Sequence, residues 1–296
     1  MISEDSHNLT GSEKRFSGVG VSPGIALAHA FVRSNFFIEP DKYIIDDSAK
    51  DDEISRLENS IEEKEVDYII LGASTALTGI DTKLLDSLTG LNGYNLAIDD
   101  TGLPNHYLML AHFLETGYRT KKVILAPTES SLTQRADLGN NNYRFLMYHR
   151  KSYIQDYYAE LEQNSHQFPV LSNTTYFPFL GISYYNVELF FPSLVSSIQP
   201  SKKNRFDERG NYKYPSKIFK TGLKKTDVVN VDFDHQYLKR IQKLCKKNQI
   251  ELHIYLPPIY RKKLTWQSTD LEIIDFTSLF KSNHFFYDRL HLNPEG

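Results

Sequence analysis

Three side chains in this 296-residue sequence have the types and spacing of an activated nucleophile. Ser74 follows the apolar run Val66-Asp-Tyr-Ile-Ile-Leu-Gly72 and stands in a turn of small residues, Ala73 to Ala76. At the far end of the chain, Tyr287-Asp-Arg-Leu-His-Leu-Asn-Pro294 sets a carboxylate, Asp288, three residues before an imidazole, His291. At that spacing Asp288 can hold one ring nitrogen of His291 while the other faces a hydroxyl. Such a chain of groups lets a serine attack an acyl carbon, the chemistry of serine hydrolases and acyltransferases. Each phrase also has a purely structural explanation. Gly-x-Ser after a strand turns the chain and caps the next helix, and Asp-x-x-His occurs in surface loops.

The elements that must position these residues follow from the apolar pattern. From Val66 onward, short apolar runs alternate with longer helical segments, which predicts an α/β fold: a parallel sheet covered by helices on both faces, three layers in all. Strands are expected at Tyr68–Leu71, Tyr94–Ile98, Val123–Ala126, Ile250–Leu256 and Leu271–Ile274, and helices at Thr82–Leu88, Asn105–Thr116, Lys151–Gln163 and His235–Asn248. Ligands of open parallel sheets sit beyond the carboxyl ends of the strands, and Ser74 falls just after the first one. Between about 127 and 232 the alternation dissolves into an insertion rich in rings, among them Tyr153, Tyr157, Tyr158, Tyr176, Phe177 and Phe179, then Tyr184, Tyr185, Phe190 and Phe191. It is too long for a connector, and reads either as a cap with a binding groove or as cover for one face of the sheet.

Composition narrows the function. A net charge of -3 excludes a general nucleic-acid binder, which needs a surplus of Lys and Arg against phosphate. Cys245 is the only cysteine, so no disulfide framework or multi-cysteine metal site forms; it continues the apolar stripe of Leu238, Ile241 and Leu244 and is expected in the core. His106 and His112 are six apart on one helix, not the four that would pair them on a metal, and no metal or cofactor is expected. The basic run Lys217 to Lys225 could approach an anionic polymer, and is otherwise a solvated surface. Pro257-Pro258 is expected to shape a loop at the carboxyl edge of the sheet. No run approaches the roughly 18 to 20 apolar residues of a membrane span, and the start Met1-Ile-Ser-Glu-Asp-Ser-His-Asn lacks the features of a secretory signal. As written, the chain reads as soluble and cytoplasmic.

Residues 1–63 differ in character. A polar start is followed by the β-type stretch Phe16 to Val32 and then by Asp51 to Lys64, whose Ile54, Leu57 and Ile61 have the spacing of a short amphipathic helix. The boundary with residues 64–296 is placed at its end. The phrase Gly18-Val-Gly-Val-Ser-Pro-Gly-Ile-Ala26 resembles the opening of enzyme I of the sugar phosphotransferase system, over about residues 15–63. The resemblance implies a short, incomplete α+β segment. That family's Gly-Gly-x-x-Ser-His phrase is absent from the chain, so its phosphotransfer does not carry over, and His29 is read as a structural or surface residue.

Over residues 65–296, the Ser74 and Asp288/His291 phrases in this order resemble the SGNH (GDSL-like) hydrolase family. The wording Leu71-Gly-Ala-Ser-Thr-Ala-Leu-Thr-Gly-Ile-Asp81 and Tyr94-Asn-Leu-Ala97 looks most like its branch of D-alanyl-transfer and alginate-acetylation proteins. The resemblance implies a flavodoxin-like three-layer domain with Ser74 as nucleophile, His291 as general base and then acid, and Asp288 as its orienting carboxylate. The substrate implied is an acylated saccharide or cell-surface polymer, often met outside the cytoplasm. The sequence departs from the pattern at the oxyanion site. Where the second block usually has a glycine stands Asp100, with Gly102 two residues on, and where the third brings an Asn the chain reads Ala126-Pro-Thr-Glu-Ser-Ser131. Thr128 is the candidate substitute there, beside a Glu129 that would repel an oxyanion unless turned away. The chain stops at Gly296 where the family continues with a helix, and reads as incomplete, or as a join of two gene fragments. The alternatives are a saccharide-binding module of the same fold without catalysis, and an enzyme I fragment that acts by docking.

Overall fold

The computed structural model describes residues 64–133, 145, 148, 151–165, 207 and 209–296. In chain order the elements are β1 (Glu65–Gly72), α1 (Ser74–Gly79), α2 (Thr82–Thr89), β2 (Gly93–Asn95), α3 (Leu103–Glu115), β3 (Arg119–Ala126) and α4 (Glu129–Thr133). Then come α5 (Ser152–Ser165), β4 (Asp227–Asn230), α6 (Gln236–Lys247), β5 (Glu251–Leu256), β6 (Lys262–Thr265), β7 (Glu272–Asp275) and a 3₁₀ turn, Asn283–Phe285. Five strands form one sheet in the order β2-β1-β3-β5-β7, each neighbouring pair parallel. The expected α/β arrangement with a parallel sheet is therefore present.

The central strands are apolar on both sides because both sides are covered. Ile69 and Leu71 of β1, Val123 and Leu125 of β3, and Ile254 and Leu256 of β5 point to one face, where they pack with Leu108 and Phe113 of α3 and Leu238, Ile241 and Cys245 of α6. The alternate residues Tyr68, Ile70 and Ala126 point to the other, where Ala76 of α1 and Leu85 of α2 meet them. Burying each large side chain contributes roughly 1.5–3 kcal/mol. Tyr68 can be this deep because its hydroxyl donates to Asp86 Oδ1 at 2.7 Å.

Strands expected around Tyr68, Val123, Ile250 and Leu271 occupy those places to within a few residues. The second is shorter than expected: β2 ends at Asn95, whose side-chain Oδ1 takes the Ala97 amide at 3.1 Å and turns the backbone locally. Not foreseen were the six-residue α1 and a separate parallel pair, β4 with β6. The helix expected at His235–Asn248 is α6, opened by His235 Nδ1 accepting from the Tyr237 amide at 3.1 Å and closed with Lys246 and Lys247 in its last turn.

Part of the aromatic insertion lies in α5. Tyr157 and Tyr158 are buried in the main core, and the hydroxyl of Tyr153 meets His112 Nδ1 at 2.7 Å. These rings are packing, and Arg240 of α6 binds Glu160 of α5 with two bonds of 2.6 and 2.7 Å beside them. Tyr176, Phe177, Phe179, Tyr184, Tyr185, Phe190 and Phe191 lie outside the described residues, as does the segment 1–63. Among the described residues, no helix is long and apolar enough to cross a membrane.

Candidate active site

Ser74 is carried by a close-packed joint in the sheet. A Cβ at Gly72 would come within 2.6 Å of Ala76 Cβ and 2.8 Å of the Ala126 carbonyl oxygen, so only glycine lets α1 sit directly on the ends of β1 and β3. Ala73 is extended (φ -101°, ψ -160°), and the helix begins at Ser74. This places the Ser74 side chain at the carboxyl end of β1, half-buried, with its amide in the first turn of α1, where backbone donors have no intrahelical acceptor.

His291 is carried by a loop with almost no regular structure. Phe286 and Leu292 pair across its neck as an antiparallel bridge and sink with Tyr260 into a small apolar cluster. The Tyr287 amide donates to the His291 carbonyl at 2.9 Å, and the Tyr260 amide to that of Arg289 at 3.0 Å. Buried Asn293 fastens the base, its Nδ2 donating to the carbonyls of His284 at 2.6 Å and Lys217 at 3.2 Å. Within the loop, Asp288 Oδ1 accepts the amides of Leu290 at 2.8 Å and His291 at 2.9 Å.

The structure brings the three residues singled out in the sequence into one hydrogen-bonded line. His291 Nδ1 lies 2.7 Å from Asp288 Oδ2, and Nε2 lies 2.7 Å from Ser74 Oγ. Partial burial raises the pKa of Asp288, but the bonds from the His291 ring and from the Leu290 and His291 amides outweigh it and hold the carboxyl below its usual range. An ionised Asp288 only accepts, so in the neutral imidazole Nδ1 carries the proton and Nε2 accepts from the Ser74 hydroxyl.

Aromatic side chains flank this line. The ring of Tyr214 stacks on Tyr287 (centroids 4.5 Å apart) and leans against the His291 imidazole at 5.0 Å, while Lys217 Nζ lies 4.7 Å from the centre of the Tyr287 ring. Burial, then the nearby Tyr212, Asp288, Asp99 and Tyr287, push the Tyr214 hydroxyl up to about 12, so it stays neutral. The segment before Tyr214 is anchored on α2, where buried Asn211 Oδ1 accepts from the Thr82 amide and hydroxyl at 3.0 Å each. Sequence reasoning did not single out Tyr214 or Tyr287 for the site. Tyr287 had a signal, its place immediately before Asp288; Tyr214 had none.

The other expected site residues are not members of this hydrogen-bonded line. Asp100 is exposed with φ 49°, in the left-handed region that favours glycine but that Asp tolerates. Gly102 caps the start of α3, ahead of Pro104. The Thr128 hydroxyl sits 2.9 Å from both the Ser130 and Ser131 hydroxyls and accepts the Ser131 amide at 3.3 Å, so it caps α4. Glu129 is ion-paired with Lys262 of β6. His106 is fully buried, and desolvation lowers its pKa to about 3, so it stays neutral. Cys245 is buried in the core, which pushes its thiol up to about 12.

Fold and site define an α/β protein that carries a hydrogen-bonded Ser–His–Asp line at the carboxyl edge of a parallel sheet. No family model, curated protein or solved structure matches the chain.

Proposed function

We propose that this protein is a serine esterase or O-acyltransferase of SGNH type, acting on an acylated saccharide or cell-surface polymer. The observation that carries the reading is the pair of 2.7 Å bonds made by the two nitrogens of His291. The strand order β2-β1-β3-β5-β7, with helices against both faces and Ser74 directly after β1, supports a flavodoxin-like three-layer domain.

In this mechanism Ser74 Oγ attacks the acyl carbon as its proton passes to His291 Nε2. The imidazolium is stabilised by Asp288, which stays ionised. The tetrahedral oxyanion is met by backbone amides, that of Ser74 first and that of Gly102 second. Collapse breaks the acyl–oxygen bond, the leaving alkoxide takes the proton from Nε2, and an acyl-Ser74 ester remains. Water or a polymer hydroxyl then attacks the ester, giving its proton to Nε2, and Ser74 leaves with that proton. Tyr214, Tyr287 and Lys217 beside His291 suit a polar, ring-shaped acceptor. Asp100 supports the reading too, since its positive φ is the conformation a glycine at that position would serve.

A second reading, a saccharide-binding module without catalysis, is favoured by Thr128: its hydroxyl is engaged in capping α4 and is not a clear substitute for an oxyanion-binding Asn. Labelling with a fluorophosphonate probe decides between them, because only an activated serine reacts quickly. Stoichiometric labelling at Ser74, lost in Ser74→Ala and His291→Ala, is the expected result. A folded protein that does not label sinks the enzyme and leaves the binding module.

A further inference from the structure

A concavity elsewhere in the molecule shares no residue with the Ser74 line. It is a cleft of about 490 Å³ where the carboxyl ends of β4 and β6 meet the first turns of α6, a volume within the range of small-molecule sites. Its apolar lining is Trp266 with Val231, Phe233 and Leu271, and the Phe233 ring meets the indole at 89° with centroids 5.8 Å apart. Phe233 is itself buried, and the Val231 amide donates to the Thr265 carbonyl at 2.8 Å, so the wall is fixed from behind. The rest of the lining is polar: Asn230, Gln242 and Gln267, then Asp232, Asp234 and Asp270. Lys239 also lines it, but is ion-paired with Asp234.

We infer that this cleft is a saccharide-binding site for neutral or amine-bearing sugar rings, separate from the acyl chemistry proposed at Ser74 and independent of it. An indole offers the flat apolar surface that the C–H face of a pyranose needs, and planar amides and carboxylates around it accept from and donate to ring hydroxyls. Three carboxylates against one paired lysine exclude a uronate or phosphate polymer, and favour a free amine, which gains both from the carboxylates and from the indole face. Asp232, Asp234 and Asp270 are exposed, so the cleft is open to solvent and an oligomer can lie along it.

Trp266 is the only tryptophan in the chain, so its emission reports on this cleft alone. The 296-residue chain is titrated with chitosan hexamers, with neutral cello-oligosaccharides, with polygalacturonate and with a lysine-rich peptide, exciting at the red edge where tyrosine does not absorb. A saturable change in emission is expected with chitosan hexamers, weaker with cello-oligosaccharides and absent with polygalacturonate. Asp270→Asn, at an exposed position, weakens chitosan binding about tenfold, the effect of losing one charged partner. Ser74→Ala leaves the titration unchanged, which separates failure here from failure of the acyl-transfer reading. No response to any sugar overturns the inference. So does an equal response to polygalacturonate, one that persists at full strength in Asp270→Asn, or one given only by a lysine-rich peptide.

Discussion

Ser74 and His291 meet at 2.7 Å across 217 positions of sequence, and different kinds of structure hold them there. Ser74 rides on backbone close-packing: β1, α1 and β3 touch at Gly72 with no room for a methyl group. His291 rides on a loop whose shape is kept by individual hydrogen bonds, donated by Asn293 and the Tyr260 amide and accepted by the Asp288 carboxylate. Close-packing is shared with the whole core, so damage to it spreads. A loop held by a few polar bonds can be loosened one bond at a time without unfolding the sheet.

The largest expected effect is on the loop side. Asp288→Asn removes the charge that fixes the His291 tautomer, and labelling of Ser74 by the fluorophosphonate should slow on the order of 10³–10⁴-fold with little change in melting temperature. An unchanged rate would show that Asp288 only shapes the loop.

Next, one substitution on each side tests the contrast directly. Gly72→Ala forces a methyl group against the Ala126 carbonyl and should cost about 1–3 kcal/mol of global stability, seen as a lower denaturant midpoint. Asn293→Ala strands two carbonyls and should cost a similar sum, about 1–3 kcal/mol. Its labelling rate should fall even at temperatures where the sheet stays folded. If both variants lose stability and labelling in step, the two supports are not independent.

Alkaline titration sharpens the comparison further, because each side holds one tyrosine pushed up to about 12. Burial raises Tyr255, whose hydroxyl faces the Gly79 carbonyl at the end of α1, and burial raises Tyr214 beside His291. A phenol with a raised folded pKa contributes stability that is complete below the ordinary value near 10 and is lost as pH rises toward 12. Melting temperature should therefore decline across that window. Tyr255→Phe and Tyr214→Phe should each flatten part of the decline of the global melt, the rest coming from Tyr68, which burial also raises, and Tyr214→Phe should in addition flatten the decline of labelling.

The smallest effect is expected at Asp100, which lies at φ 49° and belongs to neither support. Asp100→Gly should move the denaturant midpoint by no more than about 1 kcal/mol, whereas Asp100→Val should cost about 1–2 kcal/mol because a branched side chain resists the left-handed region.

Much of the sheet was legible in the sequence because buried parallel strands leave continuous apolar runs, as Tyr68 to Leu71 and Val123 to Ala126 do. α6 was equally legible from Leu238, Ile241 and Cys245, which recur at the helical period. β4 was not: Asp227–Asn230 is short and mostly exposed, and its partner β6 is brought to it only by the fold. α1 was hidden because six residues are too few for a period to emerge. Thr128 is a different case, since its type suggested an oxyanion donor, whereas its bonds to Ser130 and Ser131 come to light only in the fold.

What the sequence determined by itself is chemistry within a turn or a strand: Asp288 and His291 are close enough along the chain to bond in any compact loop, and Gly72 before Ser74 ends the strand. What only the tertiary structure decided is which ring nitrogen meets which oxygen, and that Tyr214, with no pattern to announce it, lies against His291. The physical reason is range. Local dihedrals and short spacings act within a few residues and leave a mark in the sequence, whereas a contact across 217 positions is created by burial of the whole sheet and has no local signature.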